Sequence, residues 1–212
     1  MVEVVDPGVV KSGAYKYEDG TRYVGDWNSK GQKHGMGHLL LPDGTRYDGC
    51  LASGMCSGLG VMAFPDGAKY EGEFMQGWFH GHGVFWRADG MKFEGEFRGG
   101  RVWGLGLVTF SDGSNGFPRN EGFFQDCKMV RRKRCPEVVQ RAQKVAYMAR
   151  AQCQQVAVKN CDNGLHIDVV SGTDPMVLAV RLSCEYSVRF RLKLDFADIR
   201  ASACSNASAV SS

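Results

Sequence analysis

Two histidines one residue apart, His80-Gly81-His82, are the first groups in this chain whose type and spacing suggest chemistry. Residues two apart on a strand share a face, so the pair could chelate a metal, but no third ligand follows by spacing. Paired carboxylates, Glu71/Glu73 and Glu94/Glu96, have the composition of an acid–base site. They recur in phase with the rest of the chain, however, and recurrence of this kind marks framework. Nothing nominates a nucleophile or a general base. The eight cysteines (Cys50, Cys56, Cys127, Cys135, Cys153, Cys161, Cys184 and Cys204) make no CxxC and no repeated spacing. No basic and apolar leader or long apolar stretch accompanies them, so reduced thiols in the cytosol are expected. The glycines sit in turns rather than in a GxxxxGK[ST] phosphate loop. The expectation is a non-enzymatic chain with no cofactor, no metal, no nucleic acid and no small-molecule substrate.

The elements that hold these residues repeat. The phrase Tyr-x-Gly-x-aromatic stands at Tyr23 to Trp27, Tyr70 to Phe74 and, with Phe first, Phe93 to Phe97; Tyr47 to Leu51 is its weakest copy. Its glycines step from 25 to 49, 72 and 95, and paired glycines at 35/37, 58/60, 81/83 and 104/106 keep the same beat. Asp-Gly recurs at Gly20, Gly44, Gly67, Gly90 and Gly113. A period of this size is one hairpin, with Asp-Gly as its tight turn. A half unit, Gly13 to Gly20, precedes the array, and Asn120 to Phe124 opens a fifth unit beyond an insertion at Gly116-Phe117-Pro118. The fold class predicted is mainly β, a single-layer twisted antiparallel meander. Residues 13–126 form the array, preceded by a segment 1–12.

Residues 127–158 read as a basic linker and a helix. The cluster Lys128, Arg131, Arg132, Lys133 and Arg134 precedes Pro136-Glu137, a residue pair suited to a first helical turn. Apolar residues then fall at helical steps to about 157, and a helix packed on the last hairpin would cover an open edge and an apolar face. The basic cluster reads as a solvated loop, a nuclear import signal or an anionic-lipid patch. Residues 19–126 carry 13 Asp+Glu against 10 Lys+Arg, whereas 127–212 carry 7 against 14. Much of the array's acidity is a ladder of Asp48, Glu71, Glu73, Glu94 and Glu96, either a solvated face with partners such as Lys92 and Arg98 or a docking strip for a basic peptide. Within 159–212, Ser187 to Phe196 alternates like a strand, without a recognisable partner.

Tyr-x-Gly-x-Trp/Phe, a turn glycine, His-Gly-x-Gly and Asp-Gly, nearly complete in Tyr23 to Gly44 and Tyr70 to Gly90, resemble the MORN (membrane occupation and recognition nexus) repeat. The insertion Thr109 to Gly122 and the stretch Val138 to Gln143 are similar to a short four-repeat, retinophilin-type subfamily. The His slot, His34 and His80, is Ser57 and Trp103 elsewhere. The resemblance implies an adaptor that binds the tail of a class III unconventional myosin in actin-rich protrusions or photoreceptors. Independently, a one-layer sheet leaves aromatic columns facing a trough. Tyr23, Trp27, Tyr47, Tyr70, Phe74, Phe85, Phe93 and Phe97 are therefore the candidate groove. The competing expectation is that these rings and the helix bury one another. The rival function is a peripheral tether on an anionic membrane surface, using the basic cluster and the helix.

Overall fold

The computed structural model describes residues 11–162, with side chains through residue 154. The elements are β1 (Lys11–Lys16), β2 (Arg22–Trp27), β3 (Lys33–Leu40), β4 (Arg46–Ala52), β5 (Met55–Ala63), β6 (Lys69–Met75), β7 (Trp78–Trp86), β8 (Lys92–Arg98), β9 (Arg101–Thr109), β10 (Glu121–Gln125), β11 (Lys128–Arg132) and α1 (Pro136–Asp162). The strands form one 11-stranded antiparallel sheet in sequence order. The alternating tail segment lies outside the described residues.

Each Asp-Gly turn is closed by its aspartate. Backbone N–H groups of Thr21, Thr45, Ala68, Met91 and Ser114 donate to the Asp two residues earlier at 2.8–3.1 Å. The next residue, as at Gly67 with φ 90°, adopts the left-handed conformation that glycine tolerates. At the opposite tips the units are latched together. The Gly77 N–H donates to the Cys56 carbonyl at 2.8 Å and that of Gly100 to Phe79 at 3.0 Å, so each hairpin tip is held by the hairpin before it.

Register converts the periodic glycines into one line. Gly13, Gly25, Gly37, Gly49, Gly60, Gly72, Gly83, Gly95, Gly106 and Gly122 face one another in succession across ten strands. The first aromatic of each unit lies over this line. A Cβ on Gly60 would come 2.6 Å from the Tyr47 ring, and one on Gly83 would come 2.5 Å from the Tyr70 hydroxyl. Beside the line the register slips once per unit, between Gly25/Trp27, Gly49/Leu51, Gly72/Glu73 and Gly95/Phe97. Bulges of this kind bend a strand. Three tyrosines also satisfy the bulge carbonyls: Tyr23, Tyr47 and Tyr70 donate to Asp26, Cys50 and Glu73 at 2.7, 2.7 and 3.0 Å.

The bent sheet makes its core from its own rings. Tyr23, Tyr47 and Tyr70 are at most 1% exposed. Rings meet edge-to-face within a unit, Tyr70 to Phe74 at 5.2 Å, and between units, Tyr47 to Phe74 and Tyr70 to Phe97 both at 4.9 Å. Burying each such ring contributes about 1.5–3 kcal/mol, and the aromatic geometry adds to it. Tyr70→Phe should cost about 1 kcal/mol, since the Glu73 and His80 carbonyls both lose the same donor. Urea denaturation would measure this, and an unchanged midpoint would mean that those bonds contribute nothing net.

α1 lies on the other face. Ala142, Ala146, Ala149 and Cys153 are buried against Val84 of β7 and Val61 of β5, while Val139 and Cys135 pack on Leu107 of β9. Small residues at four- and three-residue steps let the helix axis approach the strands closely. The helix therefore crosses the middle of the array instead of capping only the last hairpin as expected, and it runs to Asp162 rather than about 157. The basic stretch also differs from the expected linker. Lys128 to Arg132 is β11, completing the fifth hairpin, with Met129 turned to the core.

Candidate partner-binding surface

Of the eight aromatics assigned to a groove, Tyr23, Tyr47, Tyr70, Phe74, Phe85, Phe93 and Phe97 are buried core, and Trp27 packs half-buried on them. Direct contact with a partner needs surface that these seven rings lack, because successive units seal them. They are the sheet's own core. The large apolar side chains that do reach solvent include Met55, Met75 and Trp78 on two adjacent hairpin tips and, elsewhere, Phe117, Val130, Tyr147 and Met148. Met75 and Trp78 face each other across the β6–β7 ladder, and the Gly77-to-Cys56 bond holds their tip against the one that carries Met55.

The acidic ladder separates into two sets with different tasks. Glu71 and Glu94 are buried beneath α1. Glu71 meets Lys69 Nζ at 2.8 Å and Arg150 Nη1 at 3.2 Å. Glu94 meets Lys92 Nζ at 3.1 Å and accepts from Gln143 Nε2 at 2.8 Å. Asp48 pairs with His38 Nδ1, and its carbonyl accepts from Cys153 Sγ at 3.0 Å. The strip therefore docks this chain's own helix. Arg98, expected to serve the ladder, instead lies 5.9 Å over the Trp103 ring.

Glu73 and Glu96 belong to the bulges. Each accepts the backbone N–H that follows a bent glycine across the strand pair, His82 to Glu73 at 2.5 Å and Leu105 to Glu96 at 2.6 Å. Asp26 does the same for Met36 at 3.3 Å. The second unit has Cys50 in that slot, where the thiol receives the Leu59 N–H. Sequence reasoning missed this task, although the signal was present: the slot between Gly and the aromatic is Asp26, Glu73 and Glu96 in three units, in phase. His82 stands between the same two carboxylates, 3.6 Å from Glu73 and 4.0 Å from Glu96. Among the described residues, no group of three or more His, Cys, Asp or Glu side chains is arranged to hold a metal ion.

The basic cluster forms an exposed corner. Lys128, Arg131, Arg132, Lys133 and Arg134 are all exposed. Arg132 is also a brace, donating to the carbonyls of Pro118 and Arg119 at 3.0 and 2.6 Å. Beneath the corner the buried Glu121 accepts the Cys135 N–H at 2.6 Å and meets Arg119 Nε at 2.5 Å, tying the sheet to the start of α1. Burial alone would raise the Glu121 pKa, but the Cys135 N–H and the Arg119 guanidinium outweigh it and leave it below the ordinary carboxylate value. A carboxyl depressed in the folded state adds stability that is complete above its unfolded pKa and is lost as pH falls through the folded value. Melting temperature should thus drop on acidification below the usual glutamate range. Glu121→Gln should flatten that drop while lowering stability at neutral pH; an unaltered acid limb would assign it to other groups.

The architecture defines a class before it defines a member: a one-layer array of latched hairpins, splinted on one face by a helix. The model of the MORN repeat matches residues 23–46, 47–69, 70–92 and 93–115. The chain is 74% identical over 147 residues to the MORN repeat-containing protein 4 homolog of Drosophila melanogaster, covering 69% of this chain and 74% of that protein. The chain belongs to the MORN-repeat family.

Proposed function

We propose that this protein is a non-enzymatic adaptor whose hairpin array grips an extended or helical segment of a protein partner, the tail of a class III unconventional myosin. The adaptor would localise or stabilise the motor in actin-rich protrusions or photoreceptors, and it would act in the cytoplasm. Likeness to the short four-repeat MORN subfamily supplies the partner. The observation that carries the binding surface is the exposed set Met55, Met75 and Trp78, fixed side by side on latched tips. Exposed aromatic and methionine side chains on a rigid frame are favoured anchors, since little is lost in ordering them. Calorimetric titration of the whole chain with a class III myosin tail segment tests both parts. Trp78→Ser should weaken binding about tenfold or more, as a hot-spot residue does. Undiminished affinity would remove the tips from the interface, and no binding by the unaltered chain would remove the myosin.

A second reading, a peripheral membrane tether, is favoured by the corner. Phe117 is fully exposed next to Pro118, whose carbonyl accepts from Arg132, and Val130 is 61% exposed on the edge strand among the exposed cations. Apolar side chains among clustered cations suit an anionic bilayer. Sedimentation with phosphatidylserine-rich vesicles should pull down the chain and lose it when Arg131, Lys133 and Arg134 are changed to Gln. Vesicle binding that ignores those changes would sink this reading.

A further inference from the structure

The second unit departs from its siblings at the bulge. Where three units place the carboxylates of Asp26, Glu73 and Glu96 at the bulge, the second places the thiol of Cys50. Its cross-strand partner is Met36, and the two sulfurs lie 3.2 Å apart. Gln152 of α1 puts its side-chain nitrogen 3.3 Å from each. The Cys50 S–H donates to Met36 Sδ, and both sulfurs accept from Gln152, so each turns a lone pair to one point, the amide nitrogen of the helix. Cys50 is half-exposed, which leaves a path to that point from solvent.

A thiol and a thioether aimed at a common position are soft ligands. They favour soft d10 cations such as Cu(I), whereas the carboxylates of the sibling units suit hard ions. We propose that Met36 and Cys50 form a binding site for a soft monovalent metal ion of the Cu(I) type, set in the seam between α1 and the β3–β4 hairpin. On loading, the Cys50 S–H bond breaks and its proton leaves to solvent. A metal–thiolate bond forms, Met36 Sδ donates a lone pair, and the Gln152 amide gives up its place. No electron changes hands. Because Gln152 is a helix contact to this hairpin, occupancy exchanges one tie between α1 and the sheet for another, which couples the metal to the seat of the helix.

The test uses the whole reduced chain labelled with 13C at its methionine methyl groups, titrated anaerobically with Ag(I) and then with Cu(I) supplied as its acetonitrile complex. Met36→Leu assigns the Met36 resonance among the nine methionines. The expected result is a saturable shift of the Met36 methyl with either ion, and none with Zn(II). Cys50→Asp, which restores the carboxylate of the sibling units and so preserves the bulge, should abolish the shift. The other methionine resonances report that each variant is folded. A Met36 methyl that stays in place through saturation with Ag(I), a shift that survives in Cys50→Asp, or an equal response to Zn(II) would each overturn the proposal.

Discussion

Gly83→Ala is expected to lower the stability of the array by about 3 kcal/mol or more, in the upper range for overpacking. The added Cβ would lie 2.5 Å from the Tyr70 hydroxyl and 2.7 Å from two ring carbons. Tyr70 cannot yield. It is fully buried, stacked on Phe79 at 4.0 Å, and bonded to the carbonyls of Glu73 and His80. Gly67→Ala is the contrasting substitution. That glycine has φ 90° but nothing within 4 Å of the new methyl, so only backbone strain is added, of order 1 kcal/mol. Thermal unfolding of both variants should therefore rank them in this order. The reverse ranking would mean that turn conformation, rather than the seat beneath the ring, is what the periodic glycines protect.

Arg150→Ala should cost about 2 kcal/mol, less than for a fully buried ion pair because the guanidinium is itself 39% exposed, and its effect should fall on the helix first. Glu71 is wholly buried, and its carboxylate oxygens face Lys69 on one side and Arg150 on the other. Without Arg150 the carboxylate stays beneath α1 with half its compensation. Replacing Glu71 and Arg150 together, by Leu and Met, should restore much of the loss, because a buried charge is removed along with its partner. Hydrogen exchange along α1 locates the effect. Arg150→Ala should speed exchange in α1 more than in β6; uniform acceleration would show that sheet and helix unfold as one unit.

The hairpins were legible because turn chemistry is local: aspartate closes its own turn, and the following glycine takes the conformation that others avoid. The start of α1 was legible for the same reason, in Pro136 and Glu137. What covers what was not. The helix meets Glu71 from 79 residues away and Met36 from 116. Nothing in the period of either segment says that an Ala-lined seam will settle on the acidic face. The burial of Tyr47 or Tyr70 depends on a bend made by register slips, and a slip appears in the sequence only as one more polar residue between Gly and Phe. In β11 a run of cations hid a strand whose inward residue, Met129, is the single apolar mark of its period on the core side.

The helix also gauges the array. From Val139 on β9 to Cys153 on β4, α1 rises about 21 Å, while strands about 4.8 Å apart put β4 and β9 roughly 24 Å from one another. Removing one inner hairpin would keep the glycine line unbroken yet shorten the sheet by about 9.6 Å, two strand spacings, and leave nearly two turns of helix overhanging. Insertion would do the opposite and leave Val61 or Val84 uncovered. A lineage that gains or loses an inner repeat must therefore alter the helix in step, so that α1 acts as a caliper on repeat number.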